Sequence, residues 1–143
     1  IPEGEYIIPI GVADIKREGT DVTLVSFGKI IKEAYKAADE LAKEGINIEI
    51  IDLRTVRPMD HAAIIESVKK TNRLVILEEA WPFGSVASEI TFRIQDEAFD
   101  YLDAPIKRIT TADTPAPYSP VLLEAWIPNS EDVVKAVKEV MYL

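Results

Sequence analysis

The first third of the chain changes from a strand-like to a helix-like pattern of apolar positions. Val12 to Arg17 alternates between apolar and polar residues, and Val22 to Phe27 is rich in β-branched and aromatic residues. These patterns predict two strands, and the turn residues at 18–21 predict that they form a hairpin. From Lys29 to Lys43 the apolar residues recur at helical spacing, and Gly45 follows where helices commonly end. We therefore expect a hairpin followed by a helix of about four turns.

The rest of the chain alternates short apolar segments with amphipathic ones. Three further strands are predicted, at Ile46 to Leu53, Leu74 to Leu77 and Ile106 to Ile109. Three further helices are predicted, after the N-cap residue Asp60, after Gly84 and after Ser130. The segment from Thr114 to Pro120 contains three prolines. Because proline fixes φ and lacks a donor, we expect no regular structure there.

This order of elements predicts the fold class. Strands that alternate with helices build a largely parallel sheet with helices on both faces, and the hairpin adds an antiparallel edge strand. A chain of 143 residues, 48% of them hydrophobic, is long enough for one such domain. We therefore predict an α/β fold of three layers, α/β/α, with a mostly parallel sheet of five strands.

Charge and composition narrow the possible partners. The formal net charge is -9, and the 16 basic residues are scattered along the chain. Nucleic-acid binding needs clustered Lys and Arg, so a basic or neutral protein surface is the better partner. No cysteine is present, and no targeting segment is visible. The first residues, Ile1 to Gly4, include no initiator methionine, and we expect a fragment of a longer protein.

The glycines do not form a nucleotide-binding motif. The six glycines are spread along the chain, so neither a dinucleotide fingerprint nor a phosphate loop can be written. The step from Ser26 to Lys29 still places a helix N-terminus beyond a strand end, where such sheets often bind anions. Two interpretations stay open. In one, the segment from Ser26 to Lys29 forms, together with Glu79, the anion crevice of a free-standing small-molecule enzyme. In the other, the segment is an ordinary turn between a strand and a helix.

Other candidates for catalysis are weak. The single histidine, His61, follows the predicted N-cap, and a surface position in a first helical turn explains it. Zinc binding would need three carboxylate ligands beside it. Glu78 and Glu79 end a central strand, but adjacent strand residues point to opposite faces and do not form a carboxylate pair. We predict no catalytic, cofactor-binding or metal-binding residue in this chain.

Aromatic residues in a loop indicate either a local core or an interface. Trp81 and Phe83 flank Pro82 in a predicted turn. Leaving two large aromatic side chains in water is costly, so they either fill the core or contact another protein. The same alternatives apply to Tyr118 and Trp126.

Two arginines lie in a connection between a strand and a helix. Arg54 and Arg57 fall in the segment that joins the strand ending at Leu53 to the helix after Asp60. Their planar guanidinium groups suit pairing with Asp52, with Asp60 or with a carboxylate of another protein. We interpret this connection as part of an interface rather than as a catalytic site.

Four motifs carry a resemblance to a known family. They are D-L-R-T-V-R-P-M-D at 52–60, E-E-A-W-P-F-G at 78–84, L-D-A-P at 102–105 and T-T-A-D-T-P-A-P-Y at 110–118. Their order over nearly the whole chain resembles the C-terminal domain of 2-oxoacid dehydrogenase E1 beta subunits. The resemblance is to the pyruvate dehydrogenase type, with the branched-chain type as the alternative.

The resemblance implies a transketolase C-terminal-type domain over residues 1–143, with the N-terminal thiamine-diphosphate-binding domain absent from this chain. In that family two alpha and two beta subunits use thiamine diphosphate and magnesium to decarboxylate a 2-oxoacid and to acylate the lipoamide of the E2 acyltransferase. The enzymes work in the cytoplasm of bacteria or in the mitochondrial matrix. The resemblance therefore implies that the fragment alone is inactive.

The resemblance also implies which residues bind partners. The E2 peripheral subunit-binding domain docks near the beta-beta two-fold axis, at acidic residues of the L-D-A-P region and at the beta C-terminus. These positions are Asp103 and Leu143 here. Residue chemistry, rather than the resemblance, leads us to expect Trp81, Arg54 and Arg57 at partner contacts as well. Because the E2 binding domains of this family are basic, the net charge of -9 favours their association with this chain.

Overall fold

A computed structural model describes residues 3–143, and Ile1 and Pro2 lie outside the described residues. The described part contains the strands β1 (Asp14–Arg17), β2 (Val22–Ser26), β3 (Ile48–Asp52), β4 (Leu74–Leu77) and β5 (Lys107–Ile109). It contains the helices α1 (Ile31–Lys43), α2 (His61–Thr71), α3 (Val86–Glu97), α4 (Pro120–Trp126) and α5 (Ser130–Val140). A short 3-10 helix at Phe99–Tyr101 follows α3.

The strands form one mixed sheet in the order β1-β3-β2-β4-β5. β3, β2, β4 and β5 run parallel, and β1 runs antiparallel to β3 at the edge. Helices α1 and α5 cover one face, and α2 and α3 cover the other. The predicted α/β/α fold with five strands and an antiparallel edge strand is confirmed.

The predicted hairpin between the first two strands is wrong, because β1 pairs with β3 and not with β2. Every residue of β2 is buried, and both its edges are taken by β3 and β4. The half-exposed β1 therefore lies at the rim of the sheet. The amides of Thr20 and Asp21 both donate to the carbonyl oxygen of Asn47 at 3.0 Å, so residues 18–21 cross the start of β3.

Two hydrophobic clusters lie on opposite faces of the sheet. Leu24 and Ile50 pack on the α1 and α5 side, whereas Val25 and Ile51 pack on the α2 and α3 side. Successive strand residues point to opposite faces, so apolar runs at 24–25 and 50–51 supply both clusters. Each fully buried aliphatic side chain contributes roughly 1.5–3 kcal/mol to folding.

The predicted helix ends at Gly45 and Asp60 are confirmed. Gly45 has a φ of +82°. The amides of Gly45 and Ile46 donate to the carbonyls of Ala42 and Leu41, which closes α1 with a Schellman motif. At the start of α2, the Asp60 carboxylate accepts a hydrogen bond from the Ala63 amide at 3.2 Å.

The proline-rich segment ends in a helix that the sequence did not predict. Residues 114–119 lack helix or strand, but α4 begins at Pro120, where irregular structure was expected. Proline is favoured at the first helical position because the amide there needs no helical partner. α4 contains no buried residue, so this seven-residue helix lies on the surface of the domain.

Candidate functional site

The L-D-A-P turn and the C-terminal end of the chain meet at one surface. The amide of Asp103 donates to the Asn72 carbonyl at 2.9 Å. The Tyr142 hydroxyl donates to the Asp103 carbonyl at 3.1 Å. Arg73 joins the two segments, because its Nε donates to the Val140 carbonyl at 3.0 Å and its Nη2 lies 4.0 Å from Asp103 Oδ2. The structure therefore brings the 102–105 turn and the C-terminal residues together.

The side chains at this surface are accessible. The Asp103 side chain is 61% exposed, and its Oδ2 lies 4.0 Å from Arg73 Nη2. Leu143 is exposed as well, while its amide donates to the Lys138 carbonyl at 3.0 Å. Backbone contacts hold Asp103 in place and leave most of its carboxylate in solvent. Its role in partner binding stays a prediction.

Arg54 is bonded within the chain. Its Nη2 lies 2.5 Å from Asp14 Oδ2, and Lys16 binds the same carboxylate. Hydrogen bonding from Lys16, with smaller contributions from Arg54, outweighs burial and lowers the pKa of Asp14 below its ordinary value. The Arg54 guanidinium thus pairs with Asp14 rather than with Asp60, and the Asp52 side chain instead accepts a hydrogen bond from the Arg54 main-chain amide at 3.0 Å. A subunit contact through Arg54 stays a prediction.

Arg57 differs from Arg54 in its surroundings. It is exposed in the connection between β3 and α2, and within residues 3–143 its side chain has neither an ion pair nor a hydrogen bond. His61 lies nearby in the first turn of α2, as expected, with Nδ1 3.4 Å from the Met59 carbonyl oxygen. Both side chains line a groove that also contains Arg93.

Trp81 and Phe83 lie on the surface, which favours the interface over the local core. Their side chains are 55% and 93% exposed. The indoles of Trp81 and Trp126 both donate to the Thr114 carbonyl oxygen, at 2.9 and 3.2 Å. These bonds hold the 81–84 turn against the proline-rich segment, whose Tyr118 is fully exposed. We call the exposed aromatic residues of these two joined segments, Trp81, Phe83 and Tyr118, the aromatic surface.

Glu78 and Glu79 have separate environments, as predicted from their alternation. Glu78 is fully buried, and its Oε2 accepts from the Ala87 amide in the first turn of α3 at 3.1 Å. A carboxylate is favourable there because the helix dipole is positive at its N-terminus. Glu79 is exposed. The two side chains do not form a catalytic pair.

The crevice proposed at Ser26 to Lys29 does not present Ser26 to a ligand. Ser26 is buried, and its hydroxyl donates to the Leu77 carbonyl at 2.9 Å, so it links β2 to β4. Lys29 and Glu79 do line a common cavity of about 480 Å³. Its other charged residues are Lys32, Glu33, Lys36 and Glu124. The three cations and three carboxylates balance, so the cavity has no clear preference for anions.

A buried polar network under α2 was not predicted from the sequence. Glu49, 1% exposed in β3, accepts from Lys70 and, at 3.4 Å, from the Gly19 amide. Burial opposes ionisation of Glu49. Hydrogen bonds from Lys70, Ser67 and Gly19 outweigh it and lower the pKa of the carboxyl. The signal that could have indicated the network is an acid inside an otherwise apolar strand.

Thr23 extends this network on the neighbouring strand. Its hydroxyl lies 2.6 Å from that of Ser67 and 2.7 Å from that of Thr71. These polar groups therefore satisfy one another beneath α2, which assigns them to the structure of the domain rather than to a reaction.

Metal-ligating side chains do not cluster in the described part of the chain. Within residues 3–143, no three His, Asp or Glu side chains lie together so as to hold a metal ion. We assign no catalytic step to these residues.

Among residues 3–143, none of the helices has the length and apolar character of a membrane-spanning segment.

Comparison with known proteins identifies the family. The family model described as "Transketolase, C-terminal domain" matches residues 11–133. The chain belongs to the transketolase C-terminal domain family. A structure described as a split-gene transketolase, an inactive beta4 tetramer, superimposes on this domain with a TM-score of 0.84 at 28% identity, covering 95% of this chain and 44% of that one.

A 2-oxoglutarate:ferredoxin oxidoreductase from Magnetococcus marinus superimposes with a TM-score of 0.60 at 15% identity, covering 91% of this chain and 19% of that one. At this identity the similarity concerns the fold alone.

Curated relatives are similar to this transketolase C-terminal domain over nearly its whole length. The pyruvate dehydrogenase E1 component subunit beta of Rhizobium meliloti is 54% identical over 138 residues, covering 96% of this chain and 30% of that protein. The mitochondrial counterpart from Dictyostelium discoideum is 48% identical over 136 residues, covering 95% and 38%. The resemblance to E1 beta subunits is confirmed.

A relative with another activity is also similar. The beta subunit of acetoin:2,6-dichlorophenolindophenol oxidoreductase from Bacillus subtilis is 48% identical over 141 residues, covering 99% of this chain and 41% of that protein. The chain thus spans about a third of the length of these curated relatives.

Proposed function

We propose that this domain is the C-terminal part of the beta subunit of a pyruvate dehydrogenase E1 component, where it serves subunit assembly and docking of the E2 acyltransferase. The supporting observation is the 54% identity to such a subunit over nearly the whole chain. The parent enzyme decarboxylates pyruvate oxidatively and transfers the acetyl group to lipoamide. An N-terminal domain of the same subunit, absent from this chain, binds thiamine diphosphate and magnesium with the alpha subunit.

Docking of E2 is assigned to the surface formed by Asp103 and the C-terminal residues. The carboxylate of Asp103 is exposed, and its backbone is held by Asn72 and Tyr142. An accessible carboxylate on a backbone that is already held suits a basic partner, because less backbone freedom is lost on binding. The net charge of -9 increases the rate of encounter with such a partner.

Subunit assembly is assigned to the aromatic surface. Trp81, Phe83 and Tyr118 lie exposed in segments that indole hydrogen bonds hold together. Exposed apolar patches of this kind are typical of interfaces, and aromatic residues are enriched in them. The alpha subunit and the second beta subunit of an α2β2 enzyme are the proposed partners. The similar split-gene transketolase is described as inactive when its beta chains form a tetramer, which supports inactivity of this domain without partners.

Oxidation of acetoin is a second candidate function of the parent enzyme, supported by the 48% identity to the Bacillus subtilis subunit. Branched-chain 2-oxoacids are the remaining alternative substrate. In each case the domain keeps the same role in assembly. Curated relatives include bacterial and mitochondrial proteins, so we place the parent enzyme in the bacterial cytoplasm or the mitochondrial matrix.

Turnover by the reconstituted enzyme tests the proposal. The E1 enzyme that carries this domain is assayed with pyruvate, a branched-chain 2-oxoacid and acetoin, and acylation of a lipoyl domain is measured. Preference for pyruvate, together with no turnover by the 143-residue chain alone, supports the proposal. A preference for acetoin or for a branched-chain acid would mean that the parent enzyme uses that substrate instead of pyruvate. Turnover by the chain alone would contradict the assembly role.

A further inference from the structure

We propose that the groove between the β3-α2 connection and α3 binds an acidic segment of another protein subunit, a contact separate from the Asp103 surface. The groove has a volume of about 730 Å³ and contains Arg57, His61 and Arg93. Glu89 is the acidic residue that lines it. Two arginines and one glutamate leave the groove with a small excess of positive charge, in a chain whose net charge is -9.

Arg57 is the unusual residue of the groove. The chain has six arginines, and four of them, Arg17, Arg54, Arg73 and Arg93, pair with carboxylates within it. Arg108 donates to the Pro82 carbonyl and the Ser88 hydroxyl. Within residues 3–143, Arg57 alone has no such partner, although the chain carries 25 acidic residues. Its guanidinium therefore remains free for a carboxylate supplied from outside.

Arg93 offers a second position for a carboxylate. Its Nε donates to Glu89 Oε1 at 2.7 Å, and this is its one ion pair in the described chain. A guanidinium has five N–H donors, so the remaining N–H groups can bind another carboxylate. Glu89 fixes the guanidinium through one donor and leaves the others available. Two arginines in one groove thus favour a segment with two neighbouring acidic side chains.

The apolar residues of the groove favour a protein segment over a small anion. Val56, Pro58 and Met59 contribute its remaining lining, and Val56 is 44% exposed. A small inorganic anion would use the guanidinium groups and leave this apolar surface in water. A peptide that carries carboxylates beside aliphatic side chains would cover both. Arginine combined with apolar contact is typical of protein interfaces.

The first test is a titration of the 143-residue chain followed by amide chemical shifts. Both hydrophobic clusters and all five strands of the described sheet lie within residues 3–143, so this chain is used for the measurement. The probe is a short synthetic peptide in which glutamate pairs alternate with leucines. The same peptide with glutamine in place of glutamate is the control. Inorganic phosphate is titrated separately.

The proposal predicts shifts confined to residues 56–61 and to α3 around Arg93, caused by the glutamate peptide and not by the glutamine peptide. Arg57→Gln and Arg93→Gln should each weaken binding roughly five-fold, the value of one exposed ion pair of about 1 kcal/mol. Lys43→Gln, at an exposed lysine outside the groove, should leave the affinity unchanged. Binding should weaken between about 0.05 M and roughly 0.5 M salt.

Three results with the peptides would overturn the proposal, and one with phosphate. These are shifts located elsewhere, equal binding of the two peptides, or equal affinity of wild type and both arginine variants. Shifts of the groove by phosphate as large as those by the glutamate peptide would also overturn it, in favour of a small-anion site. The spectra of the variants report directly whether they remain folded. A negative result in this test would not contradict the proposal that E2 docks at Asp103, because different substitutions test the two surfaces.

Discussion

The hydroxyl of Tyr142 donates a hydrogen bond of 3.1 Å to the main-chain carbonyl of Asp103. The two residues are 39 positions apart, yet this bond ties the end of the chain to the turn that precedes β5. Tyr142 has a φ of 61°, a left-handed conformation that is uncommon for a tyrosine. The bond therefore holds both parts of the proposed docking surface in one arrangement.

Loss of this bond should affect docking more than folding. Tyr142→Phe removes the donor and keeps the ring. Because Tyr142 is exposed, we expect its loss to reduce the free energy of unfolding by less than about 1 kcal/mol. The affinity of the parent E1 for the E2 binding domain should fall roughly two- to three-fold, since the turn becomes less ordered before binding. Calorimetry of binding and urea unfolding measure the two effects; a large loss of stability with unchanged affinity would contradict this role.

The contact between Lys70 and Glu49 should contribute measurably to stability. Lys70→Met leaves the buried Glu49 carboxylate without its cationic partner, and we expect a loss of about 2 kcal/mol in the free energy of unfolding. Lys69→Met is the matched control, because Lys69 pairs with Glu66 in solvent. Urea unfolding of both variants checks the difference. Equal stability of the two variants would show that the buried pair is not important.

The same pair predicts a pH dependence. The pKa of Glu49 is lowered below its ordinary value of 4.5, so the folded state binds fewer protons than the unfolded state at mildly acidic pH. Its stabilising contribution is present above pH 4.5 and is lost as the pH falls through the lower folded value. We expect the stability difference between wild type and Glu49→Gln to be constant near neutral pH and to shrink below pH 4.5. A difference that grows on acidification would contradict the direction of the shift.

Gly19 should not tolerate a side chain. A Cβ at this position would lie 2.2 Å from the carbonyl carbon of Ile48, where the 18–21 segment crosses β3. Gly19→Ala should therefore destabilise the protein by about 2 kcal/mol or more, through displacement of backbone. Gly45→Ala is the comparison. A Cβ at position 45 would meet no atom within 4 Å, but the φ of Gly45 is +82°. Backbone strain of about 1–2 kcal/mol is therefore expected for alanine there. Thermal or urea unfolding ranks the two; a milder effect at Gly19 would contradict the crossing.

Most of the fold could be predicted because its signals are local. The apolar runs at 24–25 and 50–51 indicate strands buried on both faces, and Gly45 and Asp60 indicate helix ends without reference to distant residues. The pairing of β1 could not be predicted in this way. It depends on which edges of β2 are already taken, and that is decided by β3 and β4.

The partners of charged side chains could not be predicted from the sequence either. Arg54 pairs with Asp14, 40 residues away, although closer acids at 52 and 60 were available along the chain. Asp14 pairs with Asp52 across the antiparallel strands β1 and β3, and Arg54 follows Asp52 by two residues. The contact between Arg54 and Asp14 therefore follows from the same unpredicted strand pairing. Asp103 was predicted as a docking residue from its motif, and the structure adds its proximity to the C-terminal residues; its role in docking stays a prediction.

Binding of the E2 peripheral subunit-binding domain to the parent E1 tests the central claim most directly. The measurement compares wild type with Asp103→Ala and with Asp96→Ala, an exposed aspartate of α3 that serves as the charge-matched control. We predict that Asp103→Ala weakens binding at least five-fold, that Asp96→Ala does not, and that salt reduces the difference. Equal affinities for wild type and Asp103→Ala at low salt would contradict docking at this surface.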